Sequence, residues 1–262
     1  LQLHGPNMTV VSACASANHS IGEALKYIER DDADVMLCGG AEAPIVDLGM
    51  CGFIAMKALS TRNDEPRKAS RPFDRDRDGF VIGEGAAVLV LESEEHARRR
   101  GARIYARLSG YGVSADAYHM AAPEPGGEGA RKSMENAIRD AGLNPWDIQY
   151  VNAHGTATPP GDRSEVTALK NLFGEHASRL KISSNKSMIG HLLGAAGGVE
   201  TVATALTVYT GRIPPTINLD NPEFELDFVP HHHVEAPVQA AINNSFGFGG
   251  HNASLIVTRY EE

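Results

Sequence analysis

The sequence predicts an α/β protein with a mostly parallel sheet and helices on both faces. Short apolar runs, such as residues 149–153, alternate along the chain with stretches whose apolar residues recur at helical spacing. Such alternation is typical of parallel sheets, because parallel strands need a crossover connection that is usually a helix. The 262 residues, 42% of them hydrophobic and 22% charged, have an ordinary globular composition and suffice for one large domain or two smaller ones.

The first predicted elements surround Cys14. The apolar run 8–11 predicts a buried strand, and a turn of small residues would place Cys14 in the first turn of the helix that follows. Unpaired N–H groups and the positive dipole end stabilise a thiolate at such a position, which indicates a nucleophile. A buried structural cysteine is the alternative, since most free cysteines are of that kind. The apolar stripe that predicts the helix consists of Ile21, Leu25 and Ile28.

The next stretch predicts two strands, a loop and a short helix. Residues 33–41 are expected to form a buried central strand that ends at a Gly-Gly break, and residues 83–91 a second strand. Between them, the polar segment 60–78 contains prolines and charges of both signs, and predicts a solvated surface loop. Ser93 then caps a short helix that closes at Gly101.

The rest of the chain continues this alternation. Asp162 and Glu165 have the spacing of a capping box and predict the start of a helix. The Gly- and Ala-rich stretch 191–209 also predicts a helix, and its glycines predict close packing on all sides, since each costs roughly 1 kcal/mol of helix propensity. The other predicted strands are 104–113, 149–153, 181–184, 228–229, 241–242 and 253–258, and the other predicted helix is 126–142.

Charge and composition argue against several classes of protein. The net charge is −9, and no basic run extends beyond residues 98–100, which argues against a nucleic-acid partner. No apolar run approaches the ~18 residues of a membrane span. The three cysteines are odd in number and have no CxxC spacing, which indicates reduced thiols in a cytoplasmic protein. The tract 231–233 of three histidines has no further ligand at metal spacing, so we expect a solvated surface there.

Three further stretches carry side chains suited to catalysis. His154 directly follows a predicted strand and is backed by Gly155 and two hydroxyl residues. His191 opens the Gly- and Ala-rich helix, whose N-terminal dipole would keep the imidazole neutral. The glycines around Phe248 permit unusual backbone angles and expose N–H groups, which suits an oxyanion site. A single histidine after a strand is more often structural, but these features at the ends of strands, together with Cys14, predict an active site.

These residues lie in four motifs: Ser12-Ala-Cys14-Ala-Ser, Asn152-Ala-His154-Gly-Thr-Ala-Thr-Pro, Lys186-Ser-Met-Ile-Gly-His191 and Asn244-Ser-Phe-Gly-Phe248-Gly-Gly-His-Asn. Together the motifs resemble those of the elongating β-ketoacyl-acyl-carrier-protein (ACP) synthases of bacterial type II fatty-acid synthesis. The resemblance covers residues 5–260. It implies the thiolase fold, in which two similar α/β halves stack into five layers (αβαβα) and the protein works as a homodimer. A cysteine with two histidines fits the elongating enzymes, because initiating synthases use His and Asn, and thiolases add a second catalytic cysteine.

The same resemblance implies a division of the chain. Residues 1–103 would be the later part of the first half and would hold the nucleophile. Residues 104–262 would be the complete second half and would hold both histidines. Roughly the first 150 residues of a family member would then be absent ahead of Leu1, which is not a methionine.

The resemblance also implies a reaction, the decarboxylative Claisen condensation of fatty-acid chain elongation. Cys14 would hold the acyl chain as a thioester. His154 and His191 would promote loss of CO2 from malonyl-ACP by hydrogen-bonding the developing enolate. The N–H groups of Cys14 and Phe248 would hold the oxyanion, and the Phe248 ring would gate the second substrate. The charge of Lys186 would organise the two histidines.

Substrate contacts are implied in the same way, and no cofactor is implied. The partner would be acyl-carrier protein, with no nucleic acid and no membrane. One departure concerns the phosphopantetheine arm, because Ala121-Ala122 stands where related enzymes often carry hydroxyl residues. The implied residues are Thr156 and Thr158 for the arm, Phe53 and Leu193 for the acyl pocket, Lys57 for the carrier protein, Glu200 as the partner of Lys186, and Asn152, Glu200, Asn244 and Ser245 for a structural monovalent cation.

Two alternatives stay open at this point. The same chemistry also serves polyketide pathways, so a polyketide ketosynthase is the first alternative. The second is that the 262 residues form an inactive piece of a longer active protein, because a half-fold without its first strands would leave sheet edges open.

Overall fold

Three sheets and seven α-helices organise the residues that the structure describes. The computed structural model describes residues 2–261; Leu1 and Glu262, the outer limits of the two predicted halves, lie outside them. The helices are α1 (Ser16–Glu29), α2 (Asp47–Ala55), α3 (Glu94–Arg99), α4 (Glu128–Asp140), α5 (Pro159–Phe173), α6 (Lys186–Ile189) and α7 (Ala196–Thr210). The strands are β1 (Val35–Glu42), β2 (Gly85–Glu92), β3 (Arg107–Ala115), β4 (Tyr150–Asn152), β5 (Lys181–Ser183), β6 (Arg212–Ile213), β7 (Val234–Glu235), β8 (Ala240–Gly247) and β9 (His251–Thr258).

The main sheet is mixed, and the prediction of a mostly parallel sheet is wrong. Its five strands have the order β3-β9-β8-β4-β5. Only β4 lies parallel to its neighbours β5 and β8, whereas β9 is antiparallel to both β8 and β3. The reason is the turn between β8 and β9, where Gly249 and Gly250 have φ values of 85° and 74°. Such a short glycine turn makes a hairpin, and hairpin strands are antiparallel.

Helices cover both faces of this sheet. Apolar side chains of α4 and α5, such as Met134 and Leu169, form the largest buried cluster on one face. On the other face α1 and α7 lie between the main sheet and a second sheet, the antiparallel pair β1–β2. The layers are therefore α4 with α5, the main sheet, α1 with α7, and the pair β1–β2. The prediction of close packing at the glycines of α7 is confirmed, because a Cβ on Gly197 would lie 2.5 Å from Oδ1 of Asn18.

The segment before Cys14 differs from its prediction. Residues 8–11 form no strand, and Val11 is 83% exposed. A strand needs a hydrogen-bonded neighbour, and no strand among residues 2–261 pairs with this segment. Strand β1 is half-buried rather than fully buried, and it continues through Gly39, where a Cβ would lie 2.0 Å from the Ala87 carbonyl oxygen. The glycines thus allow the close approach of β2 instead of ending the strand.

The polar segment 60–78 is largely buried in its second half, so the prediction of a solvated loop is wrong there. Phe73 has no exposed surface, and its ring stacks on Phe228 at 4.2 Å. The buried charges there are paired with protein groups rather than with water; Nε of Arg71, for example, lies 3.0 Å from Oδ1 of Asp74. The predicted strand at 228–229 is absent, because Val229 has a φ of 49°, which is not a strand conformation. The ring of Phe228 packs on Phe73.

Several local predictions are confirmed. The Ser93 hydroxyl accepts the N–H of His96 at the start of α3, as a helix cap does. Helix α4 and strands β4, β5 and β9 lie where the sequence predicts them, within a few residues. The tract 231–233 is exposed. Within residues 2–261, no helix combines the length and the apolar character that crossing a bilayer requires.

Candidate active site

Cys14 lies in a strained turn just before α1. The helix begins at Ser16, so Cys14 precedes it and does not occupy its first turn, contrary to the prediction. Ala13 has a φ of 50°, a left-handed conformation that is costly for a residue with a Cβ. The Ser16 hydroxyl holds the turn: its oxygen accepts the Ser12 N–H at 2.9 Å, and it donates to the Ala13 carbonyl at 2.7 Å. The turn therefore presents Cys14 in one fixed position.

The thiol of Cys14 is protonated at rest. Burial raises its pKa to about 11, and the charge of Lys186 and the backbone N–H groups of Phe248 and Cys14 lower it only in part. The expectation of a stabilised thiolate is thus wrong for the resting site, because the cost of desolvating the thiolate exceeds the stabilisation by Lys186 and the N–H groups. The N–H groups of Cys14 and Phe248, which the resemblance assigns to the oxyanion, therefore lie beside the Cys14 sulfur.

His154 lies in a turn held by two carboxylates. Helix α5 begins at Pro159, so Asp162 and Glu165 lie inside it and do not form the predicted capping box. The carboxylate of Glu165 accepts the N–H of His154 at 2.9 Å and that of Gly155 at 2.8 Å. Asp162 accepts the N–H of Ala157 at 3.1 Å. These bonds fix the turn that joins β4 to α5.

Both carboxylates are buried, which makes their ionisation costly. Burial raises the pKa of Glu165 to about 7, and the bonds from Gly155 and His154 oppose this only in part. Burial likewise raises the pKa of Asp162 to about 6. Sequence reasoning assigned these two acids only to a helix cap. The adjacent Pro159-Pro160 was the available signal, since proline is favoured in the first turn of a helix and would have placed the start four residues earlier.

His191 lies before the Gly- and Ala-rich helix, which starts five residues later than predicted, at Ala196. Its backbone N–H donates to the Val81 carbonyl at 2.7 Å, and its carbonyl accepts the Gly83 N–H at 2.9 Å. Nδ1 of the ring accepts the N–H of Leu193 at 3.3 Å. A nitrogen that accepts a backbone N–H carries no proton, so in the neutral ring Nε2 is the N–H donor.

Both histidines are neutral, as predicted for His191, but the cause differs from the prediction. Burial, followed by the charge of Lys186, holds the pKa of each imidazole well below its ordinary value. Lys186 is itself buried and forms an ion pair with the carboxylate of Glu200, as the family resemblance implied. The positive charge that keeps the histidines neutral is therefore fixed by a buried partner.

One pocket brings most of the predicted residues together. The rings of His154 and His191 meet edge to face, with centroids 5.3 Å apart. Phe53 packs on the apolar cluster that contains Cys14, and its ring lies 6.5 Å from that of Phe248. Lys57 is exposed and stands outside the pocket. The predicted residues that line the pocket are Cys14, His154, Thr156, Thr158, His191, Leu193 and Phe248, and Ala121 and Ala122 line it as well.

Three of the four residues considered for a cation carry unsatisfied oxygens. Oδ1 of Asn152, Oε2 of Glu200 and Oγ of Ser245 are buried and have no hydrogen-bond partner among the described residues. Oxygen atoms of this kind fit a monovalent cation. The side chain of Asn244 lies on the opposite face of β8, where its Oδ1 accepts the Ser254 hydroxyl at 2.8 Å. Within residues 2–261, no cluster of three His, Cys, Asp or Glu side chains could hold a metal ion.

A buried cysteine in a strained turn, two neutral histidines and a layered α/β framework define a thiolase-fold protein with a cysteine-centred site. The chain belongs to the β-ketoacyl synthase family. Residues 1–97 match the N-terminal domain of beta-ketoacyl synthase, and residues 105–220 match its C-terminal domain.

Curated relatives and solved structures support this membership. The chain is 52% identical over 259 residues to 3-oxoacyl-[acyl-carrier-protein] synthase 2 of Coxiella burnetii, and 54% identical over 262 residues to the protein of the same name from Rhizobium meliloti. These matches cover 98% and 99% of this chain but only 63% and 62% of the relatives.

Two solved structures have the same fold. A beta-ketoacyl synthase from Burkholderia phymatum STM815 superposes with a TM-score of 0.91 at 42% identity, over 96% of this chain and 61% of that one. AntDE:AntF, a type II polyketide ketosynthase in complex with its acyl-carrier protein, superposes with a TM-score of 0.96 at 37% identity, over 98% and 64%. The chain thus spans less than two thirds of the length of these relatives.

Proposed function

We propose that the protein to which this chain belongs is a β-ketoacyl-ACP synthase of fatty-acid chain elongation. The observation that carries the proposal is the shared pocket of Cys14, His154 and His191, with the Phe248 N–H beside the thiol. The sequence similarity to 3-oxoacyl-ACP synthases supports it.

In the first step, the sulfur of Cys14 attacks the thioester carbonyl of acyl-ACP. The N–H groups of Cys14 and Phe248 donate to the oxyanion that forms. Because the thiol is protonated at rest, its proton must leave as the carbon–sulfur bond forms. A neutral histidine of the pocket can take this proton and return it to the departing phosphopantetheine thiolate, so that the step balances.

In the second step, malonyl-ACP loses CO2 and the remaining two-carbon unit attacks the acyl group on Cys14. Nε2–H of His191 and the ring of His154 hydrogen-bond the thioester oxygen of malonyl-ACP while negative charge develops there. The new carbon–carbon bond forms as the bond to the sulfur of Cys14 breaks. The Cys14 thiolate takes up one proton from solvent water, and the products are CO2 and a 3-oxoacyl-ACP.

The pocket residues suggest how acyl-carrier protein would be held. Thr156 and Thr158 line the pocket, with their hydroxyl oxygens 2.9 Å apart, and would bind the phosphopantetheine arm. Phe53 and Leu193 border Cys14 on the apolar side, where the acyl chain would lie. Lys57 is exposed and could contact the acidic carrier. The similar structure that contains an acyl-carrier protein supports this partner.

The remaining expectations are part of the same proposal. Residues 1–103 would form the later part of the first thiolase-like half, and residues 104–262 the second half, each with its own sheet. A homodimer is supported by exposed apolar side chains at α2, where Leu48 is 85% exposed. The free cysteines support a cytoplasmic location. A structural cation would be held by Asn152, Glu200 and Ser245, and would neutralise buried oxygens.

A polyketide ketosynthase is the second candidate. The structural likeness to a type II polyketide ketosynthase supports it. Over the aligned residues, the two curated 3-oxoacyl-ACP synthases are 52% and 54% identical to this chain, against 37% for that ketosynthase, which favours the fatty-acid role.

The test uses the full-length protein with acyl-ACP and malonyl-ACP. We expect CO2 and a product longer by two carbons, and an acylated intermediate on Cys14 by mass spectrometry. Cys14→Ala should lose the intermediate and the condensation. Cys51→Ala, which removes an exposed thiol on α2, is the matched control and should keep both. Condensation by the Cys14→Ala variant would contradict the proposal.

A further inference from the structure

Leu193, two residues after His191, has a strained backbone. Its φ is 46°, the left-handed region that costs a residue with a Cβ on the order of 1–3 kcal/mol. Such a conformation persists only where neighbouring contacts hold it. The N–H of Leu193 donates to Nδ1 of His191, so the strained residue also fixes the orientation of the imidazole.

Glu42, the last residue of β1, holds the turn from the other side. Its Oε2 accepts the N–H of Gly194 at 3.1 Å, directly after the strained residue. Leu193 therefore lies between two anchors, the imidazole of His191 before it and the carboxylate of Glu42 after it. Since a carboxylate is a stronger acceptor than a neutral oxygen, this bond is well suited to oppose strain.

The Glu42 carboxylate also lies close to the turn that carries Cys14. A Cβ on Gly194 would lie 2.8 Å from Oε2 of Glu42, 3.6 Å from Cβ of Ser16 and 3.7 Å from the carbonyl oxygen of Ala13. The negative charge of Glu42 acts on Cys14 and raises the pKa of the thiol, in opposition to the positive charge of Lys186. One side chain thus touches the turn that orients His191 and acts electrostatically on the nucleophile.

We propose that Glu42 is a positioning residue, which acts through the Gly194 N–H to hold the strained turn and the imidazole of His191 in the geometry needed for decarboxylation. This inference rests on the proposed function, since it assigns a role within that reaction. The acceptor oxygen performs the positioning, and the charge has the separate effect of opposing ionisation of Cys14.

Two substitutions separate these effects in the full-length protein. Glu42→Gln keeps an acceptor oxygen and removes the charge, whereas Glu42→Ala removes both. We expect Glu42→Ala to lower the rate of CO2 release from malonyl-ACP about tenfold, with little change in KM, and Glu42→Gln to stay within about threefold. The control is Glu95→Ala on α3, where an exposed carboxylate pairs with Arg99. It should leave the rate unchanged.

A second measurement tests the effect of the Glu42 charge on the Cys14 thiol. The pH dependence of Cys14 alkylation by iodoacetamide should move to lower pH in both Glu42 variants, because the negative charge is lost in both. Equal CO2 release by Glu42→Ala and wild type would overturn the inference, and so would equal losses in the two variants. Absence of CO2 release from the wild-type protein would contradict the proposed function rather than the role of Glu42. In that case the alkylation profile remains the test of Glu42, and an unshifted profile would contradict its placement beside Cys14.

Discussion

The two histidine turns reach the same chemical state by different means. The turn of His154 is held by Asp162 and Glu165, two buried carboxylates on one helix whose pKa values are raised. The turn of His191 is held by backbone bonds to Val81 and Gly83 and, beyond Leu193, by a single carboxylate, that of Glu42. Both imidazoles are nevertheless neutral, because burial dominates in both places. The comparison teaches that burial sets the protonation state of both imidazoles. The groups that hydrogen-bond each turn determine how its stability responds to pH and mutation.

The largest expected effect comes from the ion pair that both turns share. Lys186→Met should lower the free energy of unfolding by about 3–5 kcal/mol, because it leaves Glu200 buried without its partner. Chemical denaturation of the full-length protein measures this loss.

The matched control for that loss is a double variant. Lys186→Met combined with Glu200→Gln should recover much of the stability, since no unpaired charge is then buried. If the double variant is no more stable than Lys186→Met alone, the pair contributes through packing rather than charge.

A smaller effect should distinguish the His154 turn by its response to pH. The pKa of Glu165 is about 7 in the folded protein, against 4.5 as its ordinary value. Below pH 4.5 the group is protonated in both states. As pH rises towards 7 the unfolded chain releases the proton first, so stability falls by at most about 3 kcal/mol over this window.

The variant Glu165→Gln should show a smaller fall than wild type, because Asp162, whose pKa is raised to about 6, still titrates in part of this window. The measurement is the free energy of unfolding at several pH values between 4.5 and 7, for wild type and variant. Glu175→Gln, which alters an exposed carboxylate, serves as the control and should follow wild type. Parallel curves for wild type and Glu165→Gln would show that Glu165 does not titrate in this window.

The smallest expected effect concerns backbone strain in the His154 turn. Ala157 has a φ of 70°, whereas Ala168 lies inside α5, and both are fully buried. Each change to glycine removes one buried methyl group, but only Ala157→Gly also relieves strain. Ala157→Gly should therefore be more stable than Ala168→Gly by about 1–2 kcal/mol. Thermal unfolding of the two variants measures the difference, and equal stabilities would mean that the turn stores no strain.

The sequence predicted those parts of the site that follow from local pattern. Cys14, His154 and His191 each stand beside a turn of small residues near the end of an apolar run, and the structure brings them into one pocket. The buried pair of Lys186 and Glu200 was suggested by resemblance to a family, not by spacing.

Other features depend on contacts far apart in the sequence. Asp162 and Glu165 have the spacing of a helix cap, and nothing local shows that they accept N–H groups of the preceding turn. Residues 60–78 look solvated because their partners are distant; Phe73, for example, stacks on Phe228. The raised pKa of Cys14 depends on burial in the folded protein, which an apolar pattern cannot quantify.

The order of strands has a consequence for how the protein is made. Strand β9 (His251–Thr258) lies between β3 and β8, so β3 finds its neighbour only after more than a hundred further residues have been synthesised. Pairings so distant in sequence close slowly, since the entropy of a long loop must be overcome first. The N–H of Phe248, which faces Cys14, arrives equally late. During synthesis on the ribosome, Cys14 therefore stays exposed to solvent and to other chains until residues 240–258 have been made and have paired.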